Sequence, residues 1–134
     1  MKYWLVKTDP ETYSWEDLLR DKKTSWDGVR NYQARNYLQE MKKDDEVLIY
    51  HSRADLAVQG IAKVGKEAYP DTSTDDPRWV AVEFSPTIAL KRPVTLSEIK
   101  INPKLKDIAL LKQSRLSVVP ITEEEFNTII LLGK

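Results

Sequence analysis

One stretch organises the middle of this chain: Trp26-Asp27-Gly28-Val29-Arg30-Asn31-Tyr32-Gln33-Ala34-Arg35-Asn36. Gly28 permits a sharp turn, and Asn31 is a favourable N-cap for a helix that begins at Tyr32. Trp26 would then stand beside the helix start, near hydrogen-bond donors of Arg30 and Asn31. A tryptophan face with amide and guanidinium donors suits a planar, polar ligand such as a nucleobase. A core tryptophan beside a capped helix with solvated arginines is the alternative.

Length and composition limit the possible classes of protein. The 134 residues predict a single domain, residues 1–134, that is long enough for a real core. The formal net charge is zero, with 21 basic and 21 acidic side chains. This balance argues against a protein that coats nucleic acid by bulk electrostatics, although it permits a local basic rim around a pocket.

Cysteine and long apolar runs are both missing from the sequence. Without cysteine, disulfides, thiolate zinc sites and cysteine nucleophiles are excluded. No stretch resembles a signal peptide or is long enough to cross a membrane. We therefore expect a cytoplasmic protein without membrane contact, and a monomer is favoured.

Strands and helices are predicted on both sides of the central stretch. Tyr3–Val6 is a compact aromatic and β-branched run typical of a strand, and Ser14 is placed to cap a short helix. Apolar residues recur at helical spacing after Asn31, which predicts one buried stripe. The apolar run from Glu46 to Ser52 predicts a central strand that delivers Tyr50, His51 and Ser52 to its C-terminal end.

The second half of the chain continues this mixed pattern. Val58–Val64 predicts a strand in which Gly60 marks a bulge or a close backbone approach. A further strand is predicted from about Trp79 to Leu90, and a last one at Leu116–Val119, ended by the following proline. Thr122 begins a capping box in front of a C-terminal helix.

The sum of these elements predicts a mixed α/β fold of the α+β kind. About five or six strands come in adjacent groups, with short helices between and beside them. A curved, mostly antiparallel sheet or open barrel is therefore favoured over a doubly wound parallel fold.

Catalytic and metal-binding patterns are weak. His51 is the only histidine, Ser52 is too close in sequence to be its nucleophile partner, and no nucleophile-elbow motif exists. One histidine without cysteine gives no metal-ligand spacing, and the four glycines form no phosphate-binding loop. We expect no catalytic residue, no metal site and no cofactor.

The remaining candidates are aromatic and basic residues at the ends of elements. Trp26 and Trp79 follow polar loops, where pocket-lining aromatics occur, but each could instead cap the core. Lys7 and Asp9 close the first strand, where a purely structural turn is the alternative. Arg115 precedes the last strand, where it could pair with a carboxylate or contact a phosphate.

Five segments of the sequence carry a further pattern: Tyr3-Trp4-Leu5-Val6-Lys7-Thr8-Asp9-Pro10, Trp26-Asp27-Gly28-Val29-Arg30-Asn31 with Ala34-Arg35-Asn36, Tyr50-His51-Ser52, Pro77-Arg78-Trp79 and Arg115-Leu116-Ser117-Val118. Taken together they resemble EVE domain proteins, in the family's order and over almost the whole chain. EVE domains belong to the PUA-like superfamily and are similar to YTH domains, which bind methylated adenine in RNA. The resemblance implies a small PUA-like, β-barrel-like fold with flanking helices.

The resemblance also implies a function: a non-catalytic nucleic-acid-binding module with an aromatic pocket for a modified base. Methylated or hydroxymethylated cytosine in DNA is the usual ligand proposed for the family. An RNA-binding accessory protein of translation or RNA modification is the alternative. We expect the base pocket to contain Lys7, Asp9, Trp26, Val29, Asn31, Tyr50, His51, Ser52 and Trp79, and phosphates to contact Arg30, Arg35 and Arg115.

Two features depart from the family's pattern. The family commonly has Ser-Glu where this chain has Thr8-Asp9, which preserves the chemistry but shortens the reach of the acid. The loop from Pro70 to Pro77 is shorter than in many members and lies next to Trp79. Specificity cannot simply be carried over from relatives with longer loops.

Overall fold

The computed structural model covers residues 1–134. Strands and helices are mixed along the chain, with one short 3-10 turn at Pro103–Leu105. The strands are β1 (Tyr3–Thr8), β2 (Thr24–Trp26), β3 (Glu46–His51), β4 (Ala57–Pro70), β5 (Val80–Thr95) and β6 (Val118–Ile121). The helices are α1 (Trp15–Asp21), α2 (Tyr32–Glu40), α3 (Leu96–Ile101), α4 (Ala109–Lys112) and α5 (Glu123–Leu132).

All six strands belong to one sheet, in the order β2-β5-β4-β3-β1-β6. β1 and β3 run parallel, whereas every other neighbouring pair is antiparallel. The parallel pair is possible because the connection between β1 and β3 contains α1, β2 and α2. The structure confirms the mixed, mostly antiparallel fold. It corrects the expected barrel, because β2 and β6 remain the two edges and the sheet does not close.

Each face of the sheet carries its own hydrophobic cluster. Side chains alternate along β1, so Trp4 and Val6 lie in one cluster and Leu5 lies in the other. Helices α1 and α2 cover the first face, while α3, α4 and α5 cover the second. β3 is buried from Val47 onward, as predicted for a central strand. None of the helices has both the length and the apolar character needed to cross a bilayer.

Local signals placed the helix starts correctly. Ser14 caps α1 and Thr122 caps α5, each with a complete capping box. Asn31 caps α2 by accepting a hydrogen bond from the backbone N–H of Ala34, at 3.0 Å. Gly28 has a φ of 78°, a left-handed conformation that glycine adopts without strain.

Strand lengths were predicted less well. β4 and β5 extend beyond their apolar cores because they pair with each other as far as Pro70 and Val80. Strand β2 was not predicted, because Thr24 and Ser25 are polar and the sequence there is typical of a loop between two elements. β6 continues through Pro120 instead of ending before it, because an edge strand needs no hydrogen-bond donor on its outer side.

Gly60 marks both a bulge and a close approach, as expected. The register between β3 and β4 shifts beside it, between Ile49 and Tyr50. A Cβ atom at Gly60 would lie 2.3 Å from Cζ2 of Trp15, far inside van der Waals contact. The indole of Trp15 therefore packs directly on the backbone of β4 and fixes α1 against the sheet.

Replacing Gly60 with alanine is expected to lower the free energy of unfolding by about 1–3 kcal/mol, because the added methyl overpacks a buried site. Thermal and urea unfolding would measure the loss. Gly65→Ala is the matched control, because a Cβ there meets mainly the carboxylate at the end of the Glu83 side chain, which can rotate away, and not a packed ring. Equal stability of the two variants would contradict close packing of Trp15 on β4.

Candidate functional site

A cavity of about 570 Å³ opens where β1 ends beside β2 and the loop before α2. Aromatic and apolar surface comes from only three of its lining residues, Tyr13, Trp26 and Val29. The other lining residues offer hydroxyl, carboxylate, cationic or backbone groups. These are Lys7, Thr8, Asp9, Thr12, Thr24, Ser25, Asp27, Gly28, Arg30 and Ser117. A cavity with one aromatic wall and many hydrogen-bonding groups suits a planar, polar ligand.

Trp26 forms the aromatic wall and is held from behind. Its strand pairs with β5 opposite Val82. The Phe84 ring lies 5.3 Å away between centroids, and Tyr13 meets Trp26 edge to face at 6.2 Å and 86°. Trp26 is nevertheless only half-buried. Its indole is thus fixed in position while part of its surface stays open to the cavity.

The end of β1 forms the opposite wall. The hydroxyl of Thr8 donates to the carbonyl of Tyr13 at 2.6 Å, which folds the segment after β1 back on the strand. The backbone N–H of Lys7 donates to the carbonyl of Ser117 at 2.8 Å. These bonds join three separate parts of the chain around one opening.

Lys7 supplies the least neutralised positive charge in the cavity. Its Nζ donates to the carbonyl of Ser114 at 2.9 Å and forms no ion pair with a carboxylate. Partial burial lowers the pKa of this ammonium group. A ligand oxygen would satisfy the remaining N–H donors of Lys7, so this side chain is suited to accept a carbonyl or phosphate partner.

Asp71 holds the loop that follows Trp26. Its side chain is fully buried, and Oδ2 accepts hydrogen bonds of 2.9 Å from both Gly28 N–H and Arg30 Nη1. Oδ1 accepts from the backbone N–H of Ser73 at 2.7 Å. Burial alone would raise the pKa of this carboxyl, but hydrogen bonds from Ser73, Gly28 and Arg30 outweigh it and hold the pKa well below its usual value. Asp71 therefore stays ionised and fixes the loop.

Sequence reasoning missed Asp71 as a site residue. The spacing of Asp71 and Ser73 indicates a local Asx turn, which the structure contains. Its longer-range bond to Gly28 crosses 43 positions in the chain, and no local pattern signals it.

The cavity brings together five of the predicted site residues: Lys7, Asp9, Trp26, Val29 and Arg30. Two of them are already engaged within the protein. Asp9 accepts from the backbone N–H of Glu11 at 2.9 Å and from Arg53 at 3.3 Å. Arg30 shares its charge with Asp71, so the structure leaves it less free for a phosphate than the sequence suggested.

Tyr50, His51 and Ser52 do not line the cavity. Tyr50 points to the opposite face of the sheet and packs in the second cluster. Nε2 of His51 accepts from the backbone N–H of Trp15 at 3.1 Å, so the proton lies on Nδ1, 3.2 Å from Asp55. Ser52 donates through its N–H and its hydroxyl to the carbonyl of Thr8. His51 and Ser52 thus support the cavity wall from behind.

Four further predicted residues also lie outside the cavity lining. Asn31 uses its side-chain oxygen to cap α2. Trp79 is buried beneath neighbouring side chains, and Arg35 donates to the carbonyl of Arg78 at 3.1 Å. Arg115 is exposed, two residues before the lining residue Ser117. Contact of these four residues with a ligand stays a prediction.

Nowhere do three or more acidic or histidine side chains gather as a metal site would require.

Comparison with known proteins identifies the family. The family model described as "EVE domain" matches residues 2–132, so the chain belongs to the EVE domain family.

Relatives share both sequence and structure over most of this length. Mouse thymocyte nuclear protein 1 is 38% identical, over 97% of this chain and 73% of that protein. A crystal structure of the human thymocyte nuclear protein 1 in complex with 5-methylcytosine-containing DNA has a TM-score of 0.94 at 34% identity, covering 100% of this chain and 98% of that one. A protein from Agrobacterium tumefaciens has a TM-score of 0.96 at 39% identity, covering 99% and 93%.

Replacing Asp71 with asparagine is expected to lower the free energy of unfolding by about 2–3 kcal/mol at neutral pH, since hydrogen bonds to a charged group contribute about 1.5–3 kcal/mol. The folded-state pKa is depressed, so this stabilisation is present above the unfolded pKa of about 3.9 and is lost as the pH falls through the folded value. The difference from wild type should therefore shrink on acidification.

Urea unfolding across a series of acidic and neutral buffers measures this difference. Asp75→Asn is the control, because Asp75 is an exposed carboxylate in the same loop. A deficit of Asp71→Asn that stays constant down to strongly acidic pH would show that the charge of Asp71 is not what holds the loop.

Proposed function

We propose that this protein is a non-catalytic reader of a modified base in nucleic acid, with 5-methylcytosine in DNA as the first candidate ligand. The observation that carries the proposal is the cavity beside Trp26, with one fixed aromatic wall and a ring of hydrogen-bonding groups. It occurs in a fold that matches, at a TM-score of 0.94, a human protein crystallised with 5-methylcytosine-containing DNA. Residues 1–134 would act as one module.

Stacking on Trp26 would supply most of the binding energy. A base laid on the open part of the indole gains about 1–3 kcal/mol, as for other aromatic platforms. Because Phe84 and Tyr13 already fix the ring, little entropy is lost when the base binds. Lys7 and the hydroxyl-bearing side chains around it would then hydrogen-bond the polar edge of the base.

Discrimination between modified and unmodified cytosine would be modest for a methyl group. Burying one methyl-sized group contributes about 0.8 kcal/mol, or roughly a fourfold preference. Val29 and Tyr13 are the apolar surfaces in the cavity that could contact it. A hydroxymethyl group would add a hydrogen bond, for which the cavity offers several partners.

The recognised base must leave its stack to enter the cavity. Flipping costs a few kcal/mol, and least at single-stranded or mismatched positions. With a net charge of zero, the protein gains little from long-range attraction to offset this cost. We therefore expect tighter binding to single strands and mismatched sites than to intact duplex.

The non-catalytic part of the proposal rests on the state of the titratable groups. Both ring nitrogens of His51 are held in structural hydrogen bonds, and both oxygens of Asp9 accept donors from within the protein. We therefore assign both side chains a structural role within the protein.

Trp26→Ala is expected to weaken binding of a single-stranded oligonucleotide with one 5-methylcytosine by roughly 5- to 160-fold, because the stacking surface is lost. Trp26→Phe should keep part of the affinity. Calorimetric titration of DNA and RNA versions, each with modified and unmodified cytosine, measures the effect and the choice of polymer.

Tyr37→Ala is the matched control, because Tyr37 is also a partly buried aromatic of the same cluster but lies outside the cavity. It should bind as wild type does. If wild-type protein binds modified and unmodified oligonucleotides equally, the proposed reading function is wrong.

A further inference from the structure

A second aromatic surface lies two residues beyond the cavity-lining Arg30 and has no part in the base pocket just described. Tyr32 is the first residue of α2, and 51% of its surface is exposed. Its ring packs on the buried Trp79 at 5.2 Å between centroids, with the planes inclined by 32°. Trp79 therefore supports the Tyr32 ring, and about half of the residue's surface remains exposed.

Two guanidinium groups flank this tyrosine. Cζ of Arg35 lies 5.1 Å and Cζ of Arg78 lies 6.0 Å from the centroid of the Tyr32 ring. Nη1 of Arg78 also donates to the Tyr32 hydroxyl at 2.7 Å. We call this surface, formed by Tyr32, Arg35 and Arg78, the tyrosine shelf.

The two arginines of the tyrosine shelf differ in charge balance. Arg78 forms an ion pair with Asp76, which holds its guanidinium in place beside the ring. Arg35 forms no ion pair and donates only to the carbonyl of Arg78 and to the side chain of Asn36. Its positive charge is therefore left for an external anion.

Arg30 connects the tyrosine shelf to the cavity. It lines the cavity, and its Cζ lies 5.5 Å from the centroid of the Trp79 ring that supports Tyr32. Arg30 and Trp79 therefore form one contiguous set of side chains between the cavity and Tyr32. An exposed aromatic ring beside an unneutralised guanidinium is the combination that binds successive nucleotides of a single strand.

We propose that the tyrosine shelf is a second nucleotide subsite. The base adjacent to the recognised base stacks on Tyr32, and the guanidinium of Arg35 leaves the ring to contact the phosphate between the two bases. This inference rests on the proposed reading function. It assigns to the shelf the unmodified neighbour in the same strand, so that an unstacked dinucleotide would bind more tightly than an isolated base.

The test compares two single-stranded heptamers, each with a central 5-methylcytosine. One has normal bases on both sides of it, and the other has abasic residues there. Wild-type protein is expected to bind the first roughly tenfold more tightly, the size of one base–aromatic stack. Tyr32→Ala should remove this flank preference, and Tyr32→Phe, which keeps the ring, should retain it.

Two controls separate a loss of the subsite from a general loss of structure. Gln33→Ala changes the next exposed residue of α2 and should bind both heptamers as wild type does. Thermal unfolding of each variant confirms that it is folded. In Tyr32→Ala the preference for 5-methylcytosine over cytosine should persist, because the cavity is untouched.

Equal binding of both heptamers by wild type, or an unchanged flank preference in Tyr32→Ala, overturns the second subsite while leaving the proposed reading function in place. If wild-type protein binds methylated and unmethylated oligonucleotides with equal affinity, yet binds more tightly when flanking bases are present, the reading function is contradicted instead. Loss of the methyl preference in Tyr32→Ala overturns the inference as well, because Tyr32 would then act through the base pocket.

Discussion

The buried carboxylate of Asp71 holds the loop that forms one side of the cavity. It lies just after β4, yet it accepts hydrogen bonds from Gly28 and Arg30, which follow β2. A buried carboxylate is costly unless several donors surround it, and this one is surrounded. These hydrogen bonds therefore hold the loop beside Trp26, whose own strand is paired with β5.

The parallel pairing of β1 and β3 places the other wall. The two strands end side by side, with Thr8 opposite His51. Because parallel strands present their C-terminal ends at the same edge, the residues after them, Asp9 and Ser52, become neighbours. Arg53 reaches Asp9 and Ser52 reaches the Thr8 carbonyl, so β3 braces the strand that lines the cavity. His51 contributes to this bracing by accepting a hydrogen bond from the backbone N–H of Trp15.

Local chemistry explains which features could be predicted from the sequence. Caps such as Asn31, the left-handed turn at Gly28 and the buried pattern of β3 depend on near neighbours, and each was confirmed. The open edge of the sheet, the polar strand β2 and the role of Asp71 depend on pairing between distant segments. No local pattern encodes them, since their partners lie elsewhere in the chain. The resemblance supplied the family, but it could not separate cavity residues from the residues behind them.

The central claim is that a modified base stacks on Trp26, and the four tryptophan indole N–H signals in a proton–nitrogen NMR spectrum test it most directly. Titration with 5-methyl-2′-deoxycytidine should shift the signal of Trp26 most. The signals of Trp4, whose indole donates to Asp45 at 3.0 Å, and of the buried Trp15 should stay in place. A Trp26 signal that does not move while ligand is bound would contradict the claim.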